Sequence, residues 1–190
     1  MLLNRCNLCR GAAALVAMLT SGASHASNST AQLLVPAYFY PGGSDLADWD
    51  RMTAAATQVD LSVIVNPSTG PGRAVDPNYV QAINRLADAG ASLFGYIDSN
   101  YGQRSLDLMR KDVDGYLALY PRIAQGYFLD LVPSAGDSAD LATYSALYTY
   151  IKSKDSSLRV IGNPGVRTLV KHSLHSAAPE WPLRRCISWQ

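Results

Sequence analysis

Residues 126–131 read GYFLDL, an apolar run of β type that ends in a carboxylate, Asp130. Segments with helical periodicity separate this run from others like it, at a spacing of roughly 30 residues, the size of one βα unit. The other runs end in polar, Gly- or Pro-marked residues and are Leu33–Tyr40, Leu61–Pro67, Leu93–Ser99 and Arg159–Gly165. This order predicts a parallel sheet with functional groups at the carboxyl ends of its strands, as in a (β/α)8 barrel.

The number of units limits that barrel. A complete (β/α)8 barrel needs eight units and about 250 residues, whereas this chain has 190 residues and only five strand-type runs. We therefore predict an α/β fold of the (β/α)8 TIM-barrel type, truncated after about five βα units. Because no low-complexity linker interrupts the units, residues 27–165 are predicted to form one partial barrel domain.

Composition excludes several classes of function. The chain is 48% hydrophobic with a net charge of +1, which is typical of a globular protein with one core. This charge gives no electrostatic reason to expect a nucleic-acid partner. The three histidines, His25, His172 and His175, lack ligand-type spacing to acids, so no metal site is predicted. No cofactor is predicted either, and the oligomeric state stays open.

The amino terminus has the pattern of a secretory signal peptide. Arg5 and Arg10 precede an apolar run, Gly11–Leu19, which is too short to span a bilayer. The small residues Thr20–Ala26 follow and end in a cleavage-type site before Ser27. We predict a signal peptide over residues 1–26, secretion to the extracellular space or cell wall, and no membrane association after cleavage.

The character of the sequence changes after Gly165. The segment Val166–Gln190 holds two of the three histidines, two of the three tryptophans and Cys186, and it has no further strand-type run. We interpret residues 166–190 as an atypical carboxyl-terminal tail. A shifted reading frame or an aberrant splice would explain it, and a natural carboxyl-terminal cap is the alternative.

Polar groups follow three of the predicted strands. Residues 66–72, NPSTGPG, predict a tight loop that starts with Asn66 at the barrel mouth. A phosphate cradle is unlikely there, because no Lys-Ser/Thr pair follows the glycines. Residues 95–104, GYIDSNYGQR, combine two aromatic rings, a carboxylate, an amide and a guanidinium, as a sugar-binding wall does, although Arg104 could instead pair with a nearby acid. Asp130 is placed for chemistry, the alternative being a turn cap.

In this order and spacing, NPSTGPG, GYIDSNYGQR and GYFLD resemble the motifs of the spherulation-specific, spherulin-type family. The segments VPAYFYP (35–41) and VIGNPG (160–165) are similar to it as well, so the resemblance covers roughly Leu34 to Gly165. It implies a (β/α)8-type fold and kinship with secreted glycoside hydrolases that act on galactosamine-containing exopolysaccharides. Asp130 matches the catalytic-type aspartate of the family. Leu131 stands where the family has Glu, Ser99 stands where it has Thr, and a further glutamate has no counterpart.

These observations lead to one predicted function and two alternatives. The first is a secreted glycoside hydrolase-like protein that acts on galactosamine-containing exopolysaccharide and is impaired by truncation, because hydrolysis needs two carboxyl groups and the second catalytic carboxylate is missing. The alternatives are a non-catalytic carbohydrate-binding or wall-associated protein and an inactive pseudogene product. The predicted catalytic residue is Asp130. The predicted substrate-binding residues are Tyr38, Tyr40, Asn66, Tyr96, Asp98, Tyr101, Arg104 and Asn163.

Overall fold

A computed structural model describes residues 32–133 and 138–165 of the chain. The predicted signal peptide (1–26), residues 27–31 and the atypical tail (166–190) lie outside the described residues, as do Cys186 and all three histidines. Within the described part, no helix has both the length and the apolar character that crossing a membrane requires.

The described residues contain five strands that alternate with four helices. The strands are β1 (Gln32–Ala37), β2 (Asp60–Val65), β3 (Ser92–Asp98), β4 (Gly126–Asp130) and β5 (Arg159–Asn163). The helices are α1 (Leu46–Ala56), α2 (Pro77–Asp88), α3 (Leu106–Leu119) and α4 (Ser138–Lys154). All five predicted strands are confirmed. Three of them end two or three residues earlier than predicted, before the Pro- and Gly-containing loops.

The strands form one parallel sheet in the order β1-β2-β3-β4-β5, so each strand pairs with its neighbours along the chain. This sequential order with a helix in each connection is the βαβ arrangement of a (β/α)8 barrel. The described part of the chain is therefore an α/β half-barrel, and the predicted fold class is confirmed.

The two faces of the sheet carry different sets of side chains, because successive residues of a strand point to opposite faces. One face packs against the helices through strand residues such as Val63, Leu93 and Ile97, which share a core with Trp49 and Tyr116. The other face corresponds to the barrel interior. Its buried cluster consists of Ile64, Phe94, Tyr96 and Phe128.

Local chemistry explains where α2 begins and ends. Asp76 precedes it in an extended conformation and its carboxylate accepts a hydrogen bond from the backbone N–H of Asn78 at 2.9 Å. Pro77 occupies the first turn, where a missing N–H costs nothing. Gly90 then adopts a φ of +95°, a conformation that glycine takes without strain and that turns the chain toward β3.

Candidate functional site

The polar ends of β3, β4 and β5 meet at one edge of the sheet. Asp98 pairs in register with Asp130, and Asp130 pairs with Asn163. Tyr96 and Phe128 of the barrel-interior cluster, and Ile161, which packs against it, each stand two residues before one of these polar groups. Asp98, Asp130 and Asn163 therefore continue the interior face toward its carboxyl end. The structure thus brings three of the predicted site residues onto adjacent strands at the end where barrel enzymes place their chemistry.

Both carboxylate oxygens of Asp130 are held by neighbouring side chains. The Tyr96 hydroxyl donates to Oδ2 at 3.0 Å, and the Asn163 side-chain amide donates to Oδ1 at 2.8 Å. Among the described residues, no salt bridge to Asp130 is formed. In this part of the chain, the carboxylate is therefore oriented by neutral donors and takes part in no ion pair.

Two tyrosines stand beside this carboxylate. The ring of Tyr38 meets that of Tyr96 edge to face, with centroids 5.4 Å apart. Burial raises the pKa of both phenols well above the ordinary tyrosine value, and the charge of Asp130 raises it further. Both hydroxyls are therefore protonated across the physiological range, so Tyr96 is a hydrogen-bond donor to Asp130 there. Tyr38 keeps 49% of its surface exposed and can contact a ligand.

The loop after β3 wraps around the end of β4. Ser99 is fully buried, and its Oγ lies 2.7 Å from the carbonyl oxygen of Asp130 and 2.8 Å from that of Leu131. Its backbone N–H also donates to Asp130 O at 3.0 Å, and that of Tyr101 donates to Leu131 O at 2.7 Å. Leu131 has a φ of +54°, a conformation that costs a non-glycine residue about 1–3 kcal/mol. These four contacts offset that strain.

Arg104 connects the end of β3 to α3. Its Nη1 donates to the carbonyl oxygen of Asp98 at 2.9 Å and to Asp112 Oδ2 at 2.5 Å. Burial raises the pKa of the Asp112 carboxyl, and the Arg104 guanidinium opposes that shift. Arg104 therefore pairs with an acid, Asp112, as the alternative interpretation of the sequence predicts. Its role as a sugar ligand stays a prediction.

Sequence reasoning missed Asp112. A signal was present in the spacing of α3. Its buried stripe contains Met109, Val113 and Tyr116, and Asp112, three residues after Met109, falls on the same stripe. A carboxylate inside such a stripe requires a partner, since burying an unpaired charge is costly. Arg104 is that partner, but only the rotation of α3 shows that the two side chains meet.

The loop after β2 is a compact turn that rests on α3. Asn66 Oδ1 accepts a hydrogen bond from the backbone N–H of Gly70 at 2.9 Å, which closes the turn. A Cβ on Gly70 would lie 3.3 Å from the Asp112 carboxylate, and one on Gly115 would lie 2.7 Å from Cγ of Pro71. Glycines are therefore needed on both sides of this contact. Asn66 organises its own loop, and its predicted contact with substrate stays a prediction.

Tyr40 and Tyr101 lie farther out on the same end of the sheet. The Tyr40 hydroxyl donates to Asp76 at 3.1 Å and accepts from the Asn78 side-chain amide at 2.8 Å, so it is anchored to the start of α2. Tyr101 has a φ of +53° and leaves 56% of its surface exposed. Both have solvent-accessible rings, but neither has a ring contact or hydrogen bond with the Asp130 carboxylate.

Over residues 32–133 and 138–165, no three acidic, histidine or cysteine side chains converge as metal ligands would. The side chains that meet at the ends of β3, β4 and β5 are carboxylates, a phenol and an amide. An oriented carboxylate beside exposed aromatic rings can bind a sugar, and it can exchange a proton with one.

Comparison with known proteins gives the chain its relatives. The profile of spherulation-specific family 4 matches residues 32–178, which continues past Gly165. Spherulin-4 of Physarum polycephalum is 36% identical over 143 residues, covering 74% of this chain and 41% of that protein. The crystal structure of Aspergillus clavatus Sph3 in complex with GalNAc superposes with a TM-score of 0.62 at 28% identity, covering 72% of this chain and 59% of that chain. This chain therefore spans less than half of spherulin-4. Because the family profile matches most of its length, the chain belongs to spherulation-specific family 4.

Proposed function

We propose that the protein is a glycoside hydrolase that acts on galactosamine-containing polysaccharide, with Asp130 as one of its two carboxyl groups. The observation that carries this proposal is the Asp130 carboxylate, held at the end of β4 by Tyr96 and Asn163. A relative of similar fold, Sph3, was crystallised with GalNAc, a galactosamine sugar. Its ligand supports the same class of substrate for this chain.

The second carboxyl group of such an enzyme has two candidate sources. Glycoside hydrolases use two carboxyl groups, about 5–5.5 Å apart in retaining enzymes and about 6.5–9.5 Å apart in inverting ones. Adjacent strands lie about 4.8 Å apart, so Asp98, in register with Asp130, is near enough to be considered. However, Asp98 Oδ1 accepts the backbone N–H of Asn100 at 2.8 Å and is thereby turned toward its own loop. A carboxyl group outside the described residues is the other source.

That orientation of Asp98 favours a second candidate, a non-catalytic carbohydrate-binding protein. Tyr38 and Tyr101 have exposed rings near the strand ends, and such rings stack on the apolar faces of sugars. A binding protein needs these rings and the hydrogen-bonding groups of Asp130 and Asn163, but it needs no second carboxylate. Secretion, which residues 1–26 predict, suits both candidates and stays a proposal.

Replacing Asp130 by Asn separates the two candidates. The amide keeps the size of the side chain and removes its ability to exchange a proton. We expect Asp130→Asn to lower the release of reducing sugar from a galactosamine-containing polysaccharide by at least about 100-fold, the range of general acid–base catalysis. GalNAc binding, measured by isothermal calorimetry, should persist.

Asp107→Asn is the matched control, because this carboxylate on α3 is 83% exposed and carries the same charge. It should leave both measurements unchanged. Binding without any hydrolysis in the unaltered protein would support the binding protein over the enzyme. Hydrolysis that survives in Asp130→Asn would show that Asp130 has no catalytic role.

A further inference from the structure

Ser99 has a polar side chain that is fully buried. Among residues 32–133 and 139–165, it is the single polar residue other than tyrosine that is fully buried. A buried hydroxyl without hydrogen-bond partners is strongly unfavourable, so the identity of its partners indicates what the residue does. Its hydroxyl lies within hydrogen-bond distance of two carbonyl oxygens at the end of β4, and the phenol of Tyr144 lies beside it.

The two carbonyl groups belong to the peptide units on either side of Leu131. Ser99 Oγ lies within hydrogen-bond distance of Asp130 O and of Leu131 O, at 2.7 and 2.8 Å. A serine hydroxyl has one hydrogen, so the two carbonyls share it or receive it in turn. Either way, the Asp130–Leu131 peptide is held against the loop after β3, at the point where Leu131 takes its left-handed conformation.

This contact reaches the carboxylate of Asp130 through the backbone. The Asp130 carboxylate accepts hydrogen bonds from Tyr96 on β3 and from Asn163 on β5, at 3.0 and 2.8 Å. Both distances depend on where the Asp130 Cα lies. If the peptide relaxed toward an ordinary conformation at Leu131, the carboxylate would rotate away from at least one of these donors.

We propose that Ser99 is a positioning residue for Asp130, acting through the hydrogen bonds of its hydroxyl to the carbonyl groups of Asp130 and Leu131. The kinetic part of this inference rests on the proposed function. The geometric part does not, because the bond between Asp130 and Asn163 can be observed whether or not the protein hydrolyses a sugar.

The test compares Ser99→Ala with Ser99→Thr. In 15N NMR spectra, the side-chain amide of Asn163, identified by its loss in Asn163→Asp, reports on the bond to Asp130. We expect this resonance to move toward the position of a solvent-exposed amide in Ser99→Ala and to stay in place in Ser99→Thr, which keeps the hydroxyl. In hydrolysis assays, Ser99→Ala should lower kcat by about 10- to 100-fold with little change in KM, because misplacing a reacting group acts on the transition state.

Thr53→Ala is the control for simple loss of stability. Thr53 is part-buried on α1 and its hydroxyl donates to the carbonyl oxygen of Trp49 at 2.9 Å, so this variant loses a similar bond elsewhere. An unmoved Asn163 resonance in Ser99→Ala, with a melting temperature lowered as in Thr53→Ala, would overturn the inference. If Ser99→Ala does not fold, Ser99→Cys, of similar size and with a weaker donor, takes its place in the same comparison. If the unaltered protein hydrolyses nothing, the proposed function fails, and the NMR result still decides the role of Ser99.

Discussion

Gly126 begins β4 with a φ of +144°, a conformation that side-chain-bearing residues rarely adopt. A Cβ at this position would overlap with the backbone of Arg159, its partner on β5. The absence of a side chain therefore lets two adjacent strands approach each other at the start of the run that ends in Asp130.

We expect Gly126→Ala to lower the free energy of unfolding by about 3 kcal/mol or more, because backbone strain and steric overlap act together. Urea denaturation followed by circular dichroism measures this. Gly162→Ala is the matched control on β5, since its Cβ would meet only the Val132 side chain, at an ordinary 3.8 Å. Equal losses in the two variants would contradict the steric explanation.

Part of the site could be predicted residue by residue. Parallel strand ends share one edge of the sheet, so the proximity of Asp98, Asp130 and Asn163 follows from their positions after apolar runs. The partners of Arg104 and Tyr40 could not be predicted. Each depends on how a helix is rotated against the sheet: Asp112 is 8 residues from Arg104 and Asp76 is 36 residues from Tyr40.

Among the elements, α1 and α2 show how far periodicity reaches. In α1, Trp49, Met52 and Ala56 recur at helical spacing and are buried, whereas Leu46, at the same spacing in the first turn, is 42% exposed. In α2, the ring of Tyr79 is buried between those of Tyr40 and Trp49. Val80, the next residue, packs against the same core but is only partly buried, so the degree of burial depends on tertiary packing.

The start of α2 gives a test at this scale. Asp76→Ala removes the cap on the Asn78 N–H and the anchor of the Tyr40 hydroxyl. A lost cap costs about 1 kcal/mol, which corresponds to a fall of about 2–4 °C in the melting temperature for a chain of this length. Differential scanning calorimetry measures it.

Asp45→Ala is the control for that experiment, because Asp45 precedes α1 but its side chain makes no capping hydrogen bond. Its melting temperature should change by no more than about half as much, because a surface substitution usually stays within about 0.5 kcal/mol. A shift as large as that of Asp76→Ala would show that charge near a helix start, and not the cap, is what matters.

At the scale of the whole molecule, the central strands of the sheet differ from the outer strands in burial. Burial is nearly complete along β3 and β4, whereas β1 and β5 are only partly buried. Within the described residues, β1 pairs only with β2, and β5 pairs only with β4. The sequential strand order was predictable from the βα repeat. The burial gradient was not, because the first run, LLVPAYFY, is the most apolar of the five and β1 is nevertheless only partly buried.

This gradient predicts the pattern of amide hydrogen exchange. We expect the slowest exchange in Leu93–Ile97 and Tyr127–Leu129, and faster exchange in β1 and β5, because outer strands open without disrupting the core. Exchange rates corrected for intrinsic chemistry, measured by NMR or mass spectrometry, provide the comparison. Protection of β1 equal to that of β3 would mean that another segment covers that side.

The contact between the loop after β2 and α3 also has a consequence for engineering. A Cβ on Gly115 would clash with Pro71, and one on Gly70 would crowd the Asp112 carboxylate, so both contacts are tightly packed. An extra residue anywhere in positions 66–72 would break both contacts at once. Directly after this loop, Arg73, Ala74 and Val75 are exposed. A peptide tag or a reporter group is therefore best introduced there, where the chain can lengthen without displacing the end of β3.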